Sequence, residues 1–156
     1  MADRLNVLQK VTDPSYAEGS PLLLEACALY QDTVTGMRIA QLKWSVLDPR
    51  TVKAVSVELK CTDAFGQAEP SVSYQYDGLA AKQYEEFGSR EAIQIQGPTV
   101  SRYDVVLKAV SFADGTFWKA DADEVMTSLP KPVKQTLSGE MLDQLKRDIS
   151  TLGIYQ

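Results

Sequence analysis

The stretch VSFADGTFW, residues 110–118, decides how the chain is read. Phe117 and Trp118 follow an Asp-Gly pair, so they either form a platform on which a ligand stacks or are core residues beyond a hairpin turn. The surroundings favour the turn. Asp-Gly tolerates the positive φ that tight hairpins need, and here it lies between two β-type runs. With Asp114 and Gly115 at the tip, Phe112 and Phe117 would face each other across the ladder. Cross-strand aromatic pairs contribute about 0.2–1 kcal/mol, so a ligand is not needed to explain the segment.

Upstream, SRYDVVLKAVSF (101–112) carries Tyr103, Val105 and Leu107 on one parity and Val110 and Phe112 on the other. A change of parity within one strand predicts a β-bulge at Lys108 or Ala109. MRIAQLKWSVL (37–47) sets Ala40, Leu42, Trp44 and Val46 on one face and Gln41, Lys43 and Ser45 on the other. VKAVSVELKCTD (52–63) repeats the pattern, with Val55, Val57, Leu59 and Cys61 inward against Ser56, Glu58 and Lys60. Such alternation predicts half-buried strands. DPRT (48–51) turns the chain between them, and LLLEACALYQ (22–31), with its loop DTVTG, precedes them. Antiparallel strands with one wet face result. SVSYQYDGL (71–79) and EAIQIQGP (91–98) add shorter strands, while AAKQYEEFGS (80–89) reads equally as a short strand or a helical turn.

The ends read differently. Residues 1–20 are polar and run into DPSYAEGSP, where proline, glycine and serine interrupt regular pairing. This predicts an N-terminal leader with a short helix at 4–11. After a β domain over 21–120, residues 121–137 form an acidic, proline-spaced linker containing LPKPVK. SGEMLDQLKRDISTLG (138–153) is a convincing helix: Ser138 caps it, Glu140 and Asp143 favour its start, Lys146 and Arg147 its end, and Gly153 stops it. Met141, Leu142, Leu145, Ile149 and Leu152 form a stripe at helical spacing. The stripe is expected to dock on the domain's own surface, with a homodimer through the helix as the alternative.

Composition bounds the function. With 156 residues and 44% hydrophobic content the chain is long enough for one buried core. A net charge of -5 leaves no basic face, which argues against nucleic acid or anionic membrane as partner. No apolar run reaches the length that spans a bilayer, and MADRLNVLQKV lacks the apolar core of a signal peptide. A cytoplasmic location is the expectation. Cys27 and Cys61 are too few for a disulfide scaffold, so reduced, buried thiols are expected.

The chain has no histidine. Ser-His-Asp and Cys-His catalysis are thereby excluded, and no glycine-rich phosphate loop follows any strand. The reading is not an enzyme, with no cofactor and no metal. Asp114, Asp121, Asp123 and Glu124 are a weak calcium candidate, because their spacing matches no calcium loop and a run of acids beside a linker is ordinarily a solvated rim. Tyr74, Tyr76 and Trp118, with Tyr84 nearby in sequence, are the candidate binding residues: tyrosines suit sugar- or peptide-binding surfaces where one edge stays wet.

From Leu22 to Trp118 the chain resembles a β-sandwich domain family of gut and soil Firmicutes whose function is not established. The resemblance rests on LLLEACALYQDTVTGMRIAQLKW, VKAVSVELKCTDAFG, YQYDGLAAKQYEEFGSREAIQI and VVLKAVSFADGTFW, in that order. It implies a bacterial β-sandwich that in similar proteins precedes a zinc ribbon or a membrane segment. An immunoglobulin domain with a core disulfide fits less well, since Cys27, Trp44 and Cys61 fall in three successive strands. The fold expected is an all-β antiparallel β-sandwich of seven to nine strands, immunoglobulin- or fibronectin-III-like in style, with one C-terminal α-helix. Its expected function is that of a non-catalytic interaction or scaffolding module with a protein partner. The alternatives are a carbohydrate- or peptide-binding sandwich and, last, an enzyme.

Overall fold

Period-two alternation becomes two antiparallel sheets. The computed structural model describes residues 4–17 and 19–120 and the backbone of 127–128. In chain order the strands are β1 (Leu5–Val11), β2 (Ser15–Tyr16), β3 (Leu22–Asp32), β4 (Arg38–Val46), β5 (Val52–Asp63), β6 (Val72–Tyr76), β7 (Glu86–Phe87), β8 (Ile93–Ile95), β9 (Val100–Phe112), β10 (Phe117–Lys119) and β11 (Thr127–Ser128). The first sheet is built on the β3–β4 pair: β1 and β2 follow one another along the free edge of β3, and β8 and β7 along that of β4. β11 extends it beyond β2. The second sheet runs β10-β9-β5-β6. Among the described residues no helix is long and apolar enough to cross a membrane.

One hydrophobic cluster joins the facing sides of the two sheets. Leu24, Leu29, Leu42, Trp44 and Val46 meet Val55, Val57, Leu59, Tyr103, Leu107 and Phe112 there, with Cys27 and Cys61 among them as free, buried thiols. Burial pushes the Cys27 thiol up to about 11. The parity change in β9 is the expected bulge: Ser56 pairs with Ala109 and Val57 with Leu107, so Lys108 is the extra residue. It returns Val110 and Phe112 to the core side.

Three expectations are corrected. The N-terminal segment is a strand rather than a helix in a leader: β1 pairs with β3 from Leu5↔Asp32 to Val11↔Cys27, and Gln9 locks it to β9 through its side-chain amide, donating to Tyr103 O at 2.9 Å and accepting from Tyr103 N at 2.8 Å. Two of its apolar residues, Val7 and Leu8, stay exposed, so the segment is held there largely by ladder hydrogen bonds that the sequence pattern does not reveal. Second, the face of β4 expected to be wet is fully buried at Lys43 and Ser45, while Gln41 stays partly exposed.

Third, the hairpin at the opening motif has a three-residue loop. Gly115 N donates to Phe112 O at 3.1 Å and Phe112 N to Thr116 O at 2.9 Å, leaving Ala113, Asp114 and Gly115 in the turn. Phe117 therefore pairs with Ser111 and Trp118 with Val110. One residue of register turns each side chain to the opposite face. Phe117 points outward, 64% exposed, while Trp118 packs against the core.

Two glycines show how turn and core differ. Gly115 has φ +90° with open space where a Cβ would stand, whereas Gly88, at φ +93°, would place a Cβ 3.0 Å from Leu42 O and 3.2 Å from Trp44 Cδ1. Left-handed backbone costs a non-glycine residue about 1–2 kcal/mol. Gly115→Ala is expected to show that strain alone in urea denaturation, and Gly88→Ala the strain plus a steric cost, so that Gly88→Ala is the more damaging of the two.

Candidate functional site

The aromatics singled out by sequence are divided between opposite edges. Tyr74 and Tyr76 lie on β6, Trp118 on β10, and β5 and β9 separate them, about 14 Å at three strand spacings. Tyr76 is buried and its hydroxyl accepts a hydrogen bond from Trp44 Nε1 at 3.3 Å. Its ring meets those of Tyr74 and Phe87 edge-on, at centroid distances of 4.9 and 5.5 Å. Tyr74 donates to Glu91 Oε2 at 2.8 Å, and burial, with the Glu91 carboxylate, pushes its phenol up to about 12. These two tyrosines work within the domain, and Trp118 does not join them.

Asp114 likewise serves its own turn. Its Oδ1 accepts from Thr116 N at 2.9 Å and from the Thr116 hydroxyl, and these bonds hold its carboxyl below the usual range. Arg50 ties the turn down by donating to Thr116 Oγ1 at 3.1 Å while its guanidinium lies 3.8 Å from the Phe112 ring centroid. Asp121, Asp123 and Glu124 lie outside the described residues, and no group of metal-binding side chains assembles among the described ones.

The flip of Phe117 builds a surface that sequence reasoning missed. On the outer face of the second sheet, Ala54 and Ser56 of β5 and Ala109 and Ser111 of β9 form a floor of small side chains, with Gln75 at one flank and Phe117 and Lys119 at the other. The floor is low because four adjacent positions carry at most one heavy atom beyond Cβ, and the walls stand because longer side chains flank them. Lys119 Nζ is 5.3 Å from the Phe117 ring centroid, which keeps a cation beside the aromatic face. Farther along the same face the surface is charged: Lys108 reaches Glu58 at 3.9 Å and Arg102 reaches Asp104 at 2.8 Å. The groove thus sets an exposed aromatic beside a floor of small side chains, with charged pairs beyond it. The available signal was the loop length at residues 113–115, which decides the facing of Phe117.

A second cluster lies on the first sheet. β3 bulges at Glu25, since Leu24 pairs with Trp44 and Ala26 with Lys43. The bulge turns Glu25 toward the side away from the shared core, where Lys43 Nζ stands 3.4 Å from Glu25 Oε2 and 2.8 Å from Glu86 Oε2. Glu25 and Lys43 are fully buried, and neither contact has hydrogen-bond geometry. Burial, and then the neighbouring Glu86 carboxyl, raise Glu25 to about 9 against the opposing pull of Lys43. Glu86 also lines an open cleft with Gly78–Ala81 and Tyr84, whose backbone is left-handed at φ 69°. The cluster is two carboxyls gathered about one buried amine, with Glu25 and Lys43 closed off from solvent and Glu86 partly open to it. No family model matches this chain, and neither does any curated protein or solved structure.

Proposed function

We propose that this domain is a non-catalytic interaction module, a β-sandwich in the immunoglobulin or fibronectin-III style, that binds a partner protein through the outer face of its second sheet. The observation that carries the reading is Phe117, 64% exposed above a floor of alanines and serines. An apolar side chain from a partner would cover the ring and floor, and Gln75 and Lys119 at the flanks would meet its polar backbone or acidic groups. Aromatic anchors set in such surroundings carry a disproportionate share of interface energy. The few polar groups in the groove favour a protein segment over a sugar, whose many hydroxyls each need a partner. The absence of histidine from the sequence supports a non-catalytic role. The buried free thiols at Cys27 and Cys61 suit a reducing compartment, in keeping with a cytoplasmic setting.

Selection from a displayed peptide library, run in parallel with a glycan array, tests this reading. Binders should come from the peptides and should lose affinity about tenfold or more on Phe117→Ala, equivalent to about 1.4 kcal/mol. Being exposed, Phe117 contributes little to folding, so Phe117→Ala is expected to leave stability within about 0.5 kcal/mol. Glycan binders that survive the substitution would reject the proposal.

A further inference from the structure

Two hairpins of this domain are built alike and differ at the tip. In each, two backbone bonds close a three-residue loop: Gly115 N to Phe112 O at 3.1 Å and Phe112 N to Thr116 O at 2.9 Å in one, Gly66 N to Asp63 O at 3.1 Å and Asp63 N to Gln67 O at 2.9 Å in the other. The loops are Ala113, Asp114 and Gly115 against Ala64, Phe65 and Gly66. Asp114 holds its own turn through Thr116. In the other loop that task falls to Asp63, whose Oδ1 accepts from Phe65 N and from Gln67 N, both at 2.9 Å. The Phe65 ring is left at the tip, 89% exposed, the most exposed large apolar side chain among the described residues. Small and polar residues are what such turns favour, so the turn itself does not account for a phenyl ring there.

We propose that Phe65 of one copy seats in the groove beside Phe117 of a second, so that the domain associates with itself head to tail. This rests on the reading of that groove as a binding surface and names its occupant. The groove has a floor of alanines and serines, an aromatic wall and, two residues from Phe117, the cation of Lys119. The tip has a bare ring and, two residues from Phe65, the carboxylate of Asp63. Shape and charge therefore match. A ring laid over Ser111 would lie one strand spacing, about 4.8 Å, from the strand that carries Phe117, inside the range of about 4.5–7 Å in which aromatic rings pair. A single molecule cannot fill its own groove, because Asp63 ends β5 whereas Ala54 and Ser56 lie near its start, about 23–30 Å away. A knob and a groove at opposite ends make a heterologous contact, which propagates into a ring or filament rather than closing as a two-fold dimer. One ring in a shallow groove buries far less than the roughly 1,200 Å² of a stable interface, so the association is weak and depends on concentration. It is separate from any contact through the expected helix over 138–153, which lies outside the described residues.

Sedimentation velocity of the full chain, from micromolar to millimolar concentration, tests this at about 0.15 M salt, where the net charge of -5 on each copy is screened beyond about 8 Å. The average mass of the wild type should rise with concentration past that of a dimer, while Phe65→Ser and Phe117→Ala should each stay monomeric throughout. Both side chains are exposed, so both variants fold as the wild type does. The decisive sample is an equal mixture of the two variants. Phe65→Ser keeps a groove and Phe117→Ala keeps a tip, so a single contact forms, and the mass should approach double that of either variant and go no further. A wild type that stays monomeric at millimolar concentration would overturn the proposal, as would oligomers that survive either substitution, or a mixture in which the variants do not complement each other. Library peptides that bind through Phe117 without any self-association would strike this inference and leave the proposed function standing. A groove that takes neither peptides nor a second copy would strike both.

Discussion

Replacing Lys43 by alanine is expected to destabilise the domain by about 2–5 kcal/mol at neutral pH, the cost of truncating a long, fully buried side chain whose space is left empty. Lys43 is the cation between Glu25 and Glu86, at 3.4 and 2.8 Å, and all of its side chain is buried. Without it the two carboxyls face each other, and the space its stem filled is empty. Lys43→Met keeps the stem and should cost less. Glu25→Gln should behave in the opposite way, because Glu25, raised to about 9, already carries its proton at neutral pH. The amide replaces a neutral acid of the same shape, and little stability is lost.

The same pair predicts a pH dependence of definite sign. A glutamate in an unfolded chain releases its proton near pH 4.3, whereas Glu25 in the fold keeps it to about 9. Across that window the folded state binds more protons than the unfolded state, so stability falls as pH rises, by at most about 1.4 kcal/mol per pH unit. Below it the contribution is fully present. Asp32, held down to about 2 chiefly by Arg4, and Asp48, held low by Arg50, act in the reverse sense: the stability they add is lost as pH falls through their depressed values. Denaturant melts from pH 5 to 9 should show declining stability in the wild type and a flatter profile in Glu25→Gln.

Trp44→Ala is the second substitution with a large expected effect, about 3–5 kcal/mol. The indole is fully buried, lies parallel to Phe87 at a centroid distance of 6.4 Å and donates to the Tyr76 hydroxyl. Truncation opens a cavity where the two sheets meet and leaves that hydroxyl without its donor. A domain of ordinary stability has about 5–15 kcal/mol in all, so the variant should be near the limit of folding at 37 °C. Trp44→Phe, which fills most of the space and loses the N–H, should cost far less. Urea titration followed by far-ultraviolet circular dichroism separates the two.

The inward faces of β4, β5 and β9 were legible in the sequence because period-two alternation reports burial on one side of a strand. Even the bulge at Lys108 was legible, as a break in that period. Alternation assumes that the other face is wet, and at Lys43 and Ser45 this failed because that face is covered as well. Glu25 looked like a simple interruption of an apolar run; only the bulge at its position in β3 brings it to Lys43. β1 escaped notice since its hold on the sheet is through backbone pairing rather than apolar side chains. Tyr74 and Tyr76 were rightly placed on one strand, but binding depends on what lies beside an aromatic, and that is set by pairing across the sheet. Phe117 illustrates the limit most plainly: one residue more in a turn carries it from the core to the surface.

Chemical-shift mapping by two-dimensional NMR, with a selected peptide titrated into isotope-labelled protein, tests the central claim most directly. The account predicts that shifts concentrate on Ala54 and Ser56, on Ala109 and Ser111, and on Phe117 to Lys119, and that they vanish in Phe117→Ala. Shifts concentrated instead on the cleft at Gly78–Ala81 and Tyr84, or undiminished by Phe117→Ala, would contradict it.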